Sequence, residues 1–199
     1  MRVFDISILG WIHSLACIAA LLLGALTIVA AKGTPSHRRN GRLYVAAMVL
    51  ANLLSLGIYK GDIGAHGFAP GTFGFFHWLA VAALAFVLAG FYAALRQARG
   101  LWAYLHPTSM VLSYYVLVGG LINEAFARVD ALRGLATTIV HGQPRFGSFV
   151  LGMTHMAAML ATVLLIIVFG IRTWLYRRSA KRTAANRTSF AGTATASNV

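Results

Sequence analysis

The sequence predicts an all-α bundle of about five membrane-spanning helices, with the N-terminus outside and the C-terminus in the cytoplasm. Three observations predict it. Hydrophobic residues make up 59% of the 199-residue chain and charged residues only 11%, with a mean hydropathy of +0.74, whereas soluble domains carry about 25% charged residues. The apolar residues fall in blocks of roughly the 20 residues a helix needs to cross the hydrocarbon core. Lys and Arg gather in alternate connections between those blocks, the pattern that marks cytoplasmic loops.

The first block, 6–31, places His13, Cys17, Ala20 and Gly24 on one helical face. Small residues at that spacing let helices approach closely, which turns His13 toward protein rather than lipid. The block ends in Val29-Ala30-Ala31. That resembles a signal-peptide cleavage site, but the apolar run is longer than such a peptide's core and is read as a span. The connection 32–42 carries Lys32, Arg38, Arg39 and Arg42, with His37 in the same loop. The second block, 43–59, is the shortest and has a stripe of Tyr44, Met48, Asn52, Ser55 and Tyr59. The third, 72–95, contains His77 near its start and is followed by Arg96 and Arg99.

In the fourth block, 106–126, His106 precedes Pro107, a residue suited to the first turn of a helix. His106 and Glu124 are 18 residues apart, which is about five turns, so they share an azimuth about 27 Å apart along the axis. Met110, Ser113, Leu117 and Gly120 fall near the same line. Lipid cannot satisfy such polar stripes, so both should face the bundle interior. The fifth block, 149–171, contains His155 and is followed by a basic tail. Residues 1–176 are read as the bundle and 177–199 as a tail that is basic and then disordered, rich in Ala, Thr and Ser without apolar periodicity.

Twelve of the 17 Lys and Arg lie in the two cytoplasmic connections and the tail, while Asp5, Asp62, Glu124 and Asp130, all the acids, fall on the other side. Trp102, Tyr104, Trp174 and Tyr176 mark the inner interface, and Trp11, Tyr59 and Trp78 the outer. The net charge of +13 is thus explained by topology and gives no reason to expect nucleic acid. With one cysteine, Cys17, no intramolecular disulfide forms.

Seven histidines carry the chemistry. His13, His77 and His155 come from three helices at one depth near the outer face, with Glu124 close to that level, while His66 and His141 lie in outer loops. Three imidazoles and a carboxylate suit zinc. Two imidazoles from different helices suit haem ligation. The plain alternative is that each imidazole only joins helices by hydrogen bonds. At the inner face His37 and His106 form a second candidate pair, and Arg38, Arg39 and Arg42 suit anionic lipid headgroups. Met153, Met156 and Met159 around His155 have the softness Cu(I) selects, and are equally ordinary packing residues.

The run Lys32-Gly33-Thr34, then His37-Arg38-Arg39-Asn40-Gly41-Arg42-Leu43-Tyr44 and Met48, resembles predicted bacterial membrane proteins of the domain-of-unknown-function 2306 type. The stretch from Phe73 to His77, the string His106-Pro107-Thr108-Ser109-Met110 with Ser113-Tyr114, and Asn123-Glu124 with Arg128 look like the same family. The resemblance implies a multi-pass membrane fold and assigns no activity. The His106-Pro107-Thr108-Ser109-Met110 string is also similar to one in membrane di-haem b-type cytochromes. Those place paired histidines on one helix, and here no single span has a histidine at both faces.

The leading functional expectation is a bacterial inner-membrane protein binding haem b or a transition metal, zinc or copper, in electron transfer. His13, His77 and His155 are its outer ligands, His37 and His106 its inner pair, and Glu124 a metal or proton group. The alternatives are an intramembrane zinc hydrolase with Glu124 as base, or a non-catalytic carrier or accessory subunit. The expected partners are the bilayer, a second copy of the chain or a membrane redox protein.

Overall fold

A computed structural model describes residues 8–58, 74–96 and 100–196. Of the features discussed above, Asp5, Tyr59, Asp62, His66, Phe73 and Arg99 lie outside the described residues. The chain forms α1 (Ile8–Val29), α2 (Pro35–Leu56), α3 (Phe75–Leu95), α4 (Trp102–Arg128), the short α5 (Asp130–Ala136), strands β1 (Thr137–Val140) and β2 (Gln143–Phe146), and α6 (Phe149–Ala196). It is an all-α membrane bundle carrying one small hairpin. α1, α3, α4 and α6 are each long and apolar enough to cross a membrane.

Helix α2 matches them in length but is not apolar throughout, because its first two turns hold Arg38, Arg39 and Arg42. The sequence reading put these arginines and His37 in a loop. They are helical because Thr34 caps the helix, its Oγ1 accepting the His37 N–H at 3.2 Å, and Pro35 occupies the first turn. The loop is therefore only a few residues long, and Gly33 takes the positive φ of 79° that the turn requires.

Consecutive long helices pack antiparallel. His13 meets Ala51 and His37 meets Thr27 across α1 and α2. His106 meets Gly90 across α3 and α4, and His155 meets Asn123 across α4 and α6. The core joins Ala20 of α1, Tyr44, Val45 and Met48 of α2, Ala83 and Val87 of α3, with Met110 and Tyr114 of α4 against it. Apolar surface gains little by leaving lipid for a helix partner, so close backbone approach must supply the cohesion. Gly24 and Gly90 allow it: a Cβ on Gly24 would lie 2.5 Å from the Tyr114 ring, and one on Gly90 would lie 2.7 Å from Met110 Sδ.

The middle of each polar stripe faces inward, whereas Glu124 at the end of the α4 stripe is exposed. Tyr44, Met48 and Ser113 are buried, and the Tyr44 and Ser113 hydroxyls hydrogen-bond at 2.8 Å between α2 and α4. Leu15, Leu22, Leu26, Leu50, Leu53 and Leu164 cover the outward faces and are exposed to the surroundings, as a lipid-facing surface requires.

Two further boundaries differ from the sequence reading. Helix α4 starts at Trp102, so Pro107 lies inside it rather than in its first turn. Proline brings no N–H, so the Ala103 carbonyl gives up its regular helical partner there. Helix α6 continues to Ala196, through the segment expected to be a disordered tail. Alanine-rich sequence is a strong helix former, and the helix had already been started by the apolar residues before it. Its 48 residues extend about 72 Å, more than twice the hydrocarbon thickness. At the opposite end, β1 and β2 pair through the two-residue turn His141-Gly142, where both residues take positive φ.

Candidate functional site

The outer histidines are engaged separately. His13 donates its Nδ1–H to the Ala51 carbonyl at 2.9 Å, and the Cys17 thiol lies 3.6 Å from its Nε2. His77 uses Nδ1 to accept the Gly74 N–H at 3.1 Å, which satisfies a free donor at the start of α3. His155 donates Nε2–H to Asn123 Oδ1 at 3.2 Å, joining α6 to α4. Glu124 forms an exposed ion pair with Arg128 one turn along its own helix. Among the described residues, no three His, Cys, Asp or Glu side chains gather to hold one ion. A shared depth in the sequence thus does not become a shared site, because helix rotation sends the side chains to different neighbours. Met153, Met156 and Met159 lie on the exposed surface of α6.

The inner pair converges. His37, in the first turn of α2, and His106, in the second turn of α4, bring their ring centroids to 6.5 Å with planes at 83°. His37 donates Nδ1–H to the Thr27 carbonyl at 3.2 Å. His106 donates Nδ1–H to the Gly90 carbonyl at 2.8 Å. Carbonyl oxygens only accept, so both rings are fixed with the proton on Nδ1 and the lone pair on Nε2. Among the described residues neither Nε2 has a hydrogen-bond partner. This is the arrangement that orients a ligating imidazole, its outer nitrogen held by a backbone carbonyl.

Gly90 has two roles in this arrangement. Its missing side chain admits Met110, and its carbonyl receives His106. Nothing in the sequence marks Gly90 or Thr27 as partners of the histidines, since a backbone carbonyl carries no residue signature. Asn123, the partner of His155, was visible only as a neighbour of Glu124.

The surroundings of the inner pair are cationic. Burial, and then the Lys32 cation, pushes the His37 imidazole below its ordinary pKa, against the opposing effect of the Thr27 carbonyl. Lys32 is itself lowered by burial and then by Arg172. Its ammonium donates to the carbonyls of Thr27 and Ile28 at 3.0 and 2.8 Å and lies over the Phe169 ring. Further out, Arg96 covers Tyr92, Arg177 covers Tyr104 and Arg178 covers Trp174. Both described acids, Glu124 and Asp130, pair with Arg128 and Arg133 at the far end.

The family described as predicted membrane protein DUF2306 matches residues 10–141. This chain is a member of the DUF2306 family. The matched stretch takes in α1 to α5 and β1, and with them His13, His37, His77, His106 and Glu124, whereas His155 lies beyond it. No curated protein matches the family member described here, and no solved structure does.

Proposed function

We propose that this membrane protein binds one b-type haem through His37 and His106, which would supply one-electron transfer at the cationic end of the bundle. One observation carries the reading: the two imidazoles converge, each with Nδ1 tied to a carbonyl and Nε2 left as a lone pair. An ion bound by two imidazole nitrogens at about 2.0 Å sets the ring centroids about 5 to 6.5 Å apart, according to the angle at the metal. The separation of 6.5 Å is within that range, so His37 and His106 would be the residues to hold the haem iron. A tetrahedral zinc would draw the rings closer and would need further ligands.

Charge supports the same choice. The Lys32 cation beside His37, with Arg172 in turn beside Lys32, raises the energy of a bare divalent ion and lowers that of a cofactor with two propionate groups. The protein is read as a bacterial inner-membrane protein with this cationic end in the cytoplasm. Its redox partner would be a quinol or another membrane protein.

The test is an optical spectrum of the full chain purified after expression with haem supply. A Soret band near one haem per chain, lost in His106→Ala and kept in His155→Ala, is the expected result. Haem-free protein under those conditions, or equal loss in both variants, refutes the proposal. A second reading, a non-catalytic subunit, is favoured by the same hydrogen bonds, since His37 and His106 also join α2 to α1 and α4 to α3. It predicts that His106→Ala lowers stability and changes no spectrum.

A further inference from the structure

Helix α2 presents an outward face unlike that of any other described span. Pro35, Arg38, Arg39, Arg42 and Leu43 line an open groove of ≈ 460 Å³. Arg38 is committed, its guanidinium donating twice to the Gly33 carbonyl at 2.9 and 3.1 Å. Among the described residues, Arg39 and Arg42 have neither a hydrogen bond nor an ion pair, and both described acids are at the far end of the bundle. The groove therefore holds two unneutralised guanidinium groups beside a third.

Below them the same face becomes apolar. Leu43, Ala46, Leu50 and Leu53 follow at helical spacing and all are exposed. The opposite face of α2, with Tyr44, Met48 and Ala51, is buried in the core. From Arg42 to Leu53 the axis rises about 16 Å, close to the thickness of one leaflet, about 15 Å. The cationic groove and the leucine strip together reproduce the dimensions and polarity of a single phospholipid with its headgroup at the membrane surface.

We propose that this face is a binding site for one anionic phospholipid, its phosphate held by Arg39 and Arg42 and its acyl chain laid along Leu43, Leu50 and Leu53. Guanidinium suits phosphate because its N–H groups match two oxygens at once. The pairing also solves a local problem, since it neutralises cations that α2 carries to the edge of the hydrocarbon.

The test uses the full chain in vesicles of phosphatidylcholine containing spin-labelled phosphatidylglycerol or spin-labelled phosphatidylcholine. Electron spin resonance then gives the fraction of each lipid immobilised by the protein. The expected result is preference for phosphatidylglycerol that falls by about tenfold in R39Q/R42Q. The R177Q/R178Q variant, which removes the same charge from α6, should retain it. Equal loss in the two variants would show a diffuse cationic surface, and unchanged preference in R39Q/R42Q would show that lipid binds elsewhere; either result overturns the site. A Leu50→Ser variant, whose arginines are intact, should weaken immobilisation of phosphatidylglycerol without changing the effect of free inorganic phosphate. If phosphate alone displaces the label completely, the acyl-chain half of the proposal is overturned.

Discussion

Adding one methyl group at Gly24 tests the packing of three helices at once. A Cβ there would meet two carbons of the Tyr114 ring at 2.5 Å and a carbon of the Tyr44 ring at 3.0 Å. Aromatic rings cannot bend aside, so Gly24→Ala must move α4 or turn Tyr114 out of place. Overpacking of this kind costs about 2 to 3 kcal/mol. Turning Tyr114 also breaks its bond to the Leu21 carbonyl, at 3.2 Å, worth about 1 kcal/mol. Better helix propensity returns about 1 kcal/mol, so the net destabilisation is about 2 to 3 kcal/mol. The control is Gly120→Ala, where a Cβ meets nothing within 4 Å and the propensity gain of about 0.5 to 1 kcal/mol should stand alone. Equilibrium unfolding in mixed micelles, followed by circular dichroism, measures both. Equal effects at the two glycines would refute the arrangement of α1, α2 and α4 described above.

The Tyr44–Ser113 hydrogen bond should respond asymmetrically in the same assay. Tyr44→Phe leaves the Ser113 hydroxyl bonded to the Met110 carbonyl and should cost about 0.6 to 1 kcal/mol. Ser113→Ala strands the buried phenol of Tyr44 and should cost about 1 to 3 kcal/mol. Acid should weaken the fold through His37, whose pKa in the folded chain lies below the ordinary 6.5. The unfolded chain takes up that proton first, so stability falls as pH drops through 6.5 toward the lower folded value. His37→Gln should flatten this part of a pH–stability curve measured in detergent. Glu124→Gln, which breaks only an exposed pair with Arg128, should change stability by under about 1 kcal/mol and leave any Soret band in place.

The membrane character, the all-helical bundle and the inward-facing middle of each stripe were legible because each depends on local quantities. Leu15, Leu22 and Leu26 favour lipid by their own transfer energies, whatever the rest of the chain does. Tyr44, Met48 and Ser113 declare an inward face by spacing alone. The start of α2 was also written in the sequence, in Thr34-Pro35, but the density of arginines behind it hid the signal. The histidines were legible as a set and not as a site. His13, His77 and His155 share a depth, yet their rings go to Ala51, Gly74 and Asn123.

Composition and periodicity by themselves determined that this chain lives in a bilayer, that Tyr44, Met48 and Ser113 face its interior, and where its positive charge collects. Tertiary structure alone decided that His37 and His106 meet while the outer three disperse. The physical reason is that depth follows from counting residues along one helix, whereas contact depends on how neighbouring helices are rotated and how closely Gly24 and Gly90 let them approach. Rotation and approach are set by steric fit between segments far apart in the chain, with backbone carbonyls as partners, and a string of side-chain types records neither.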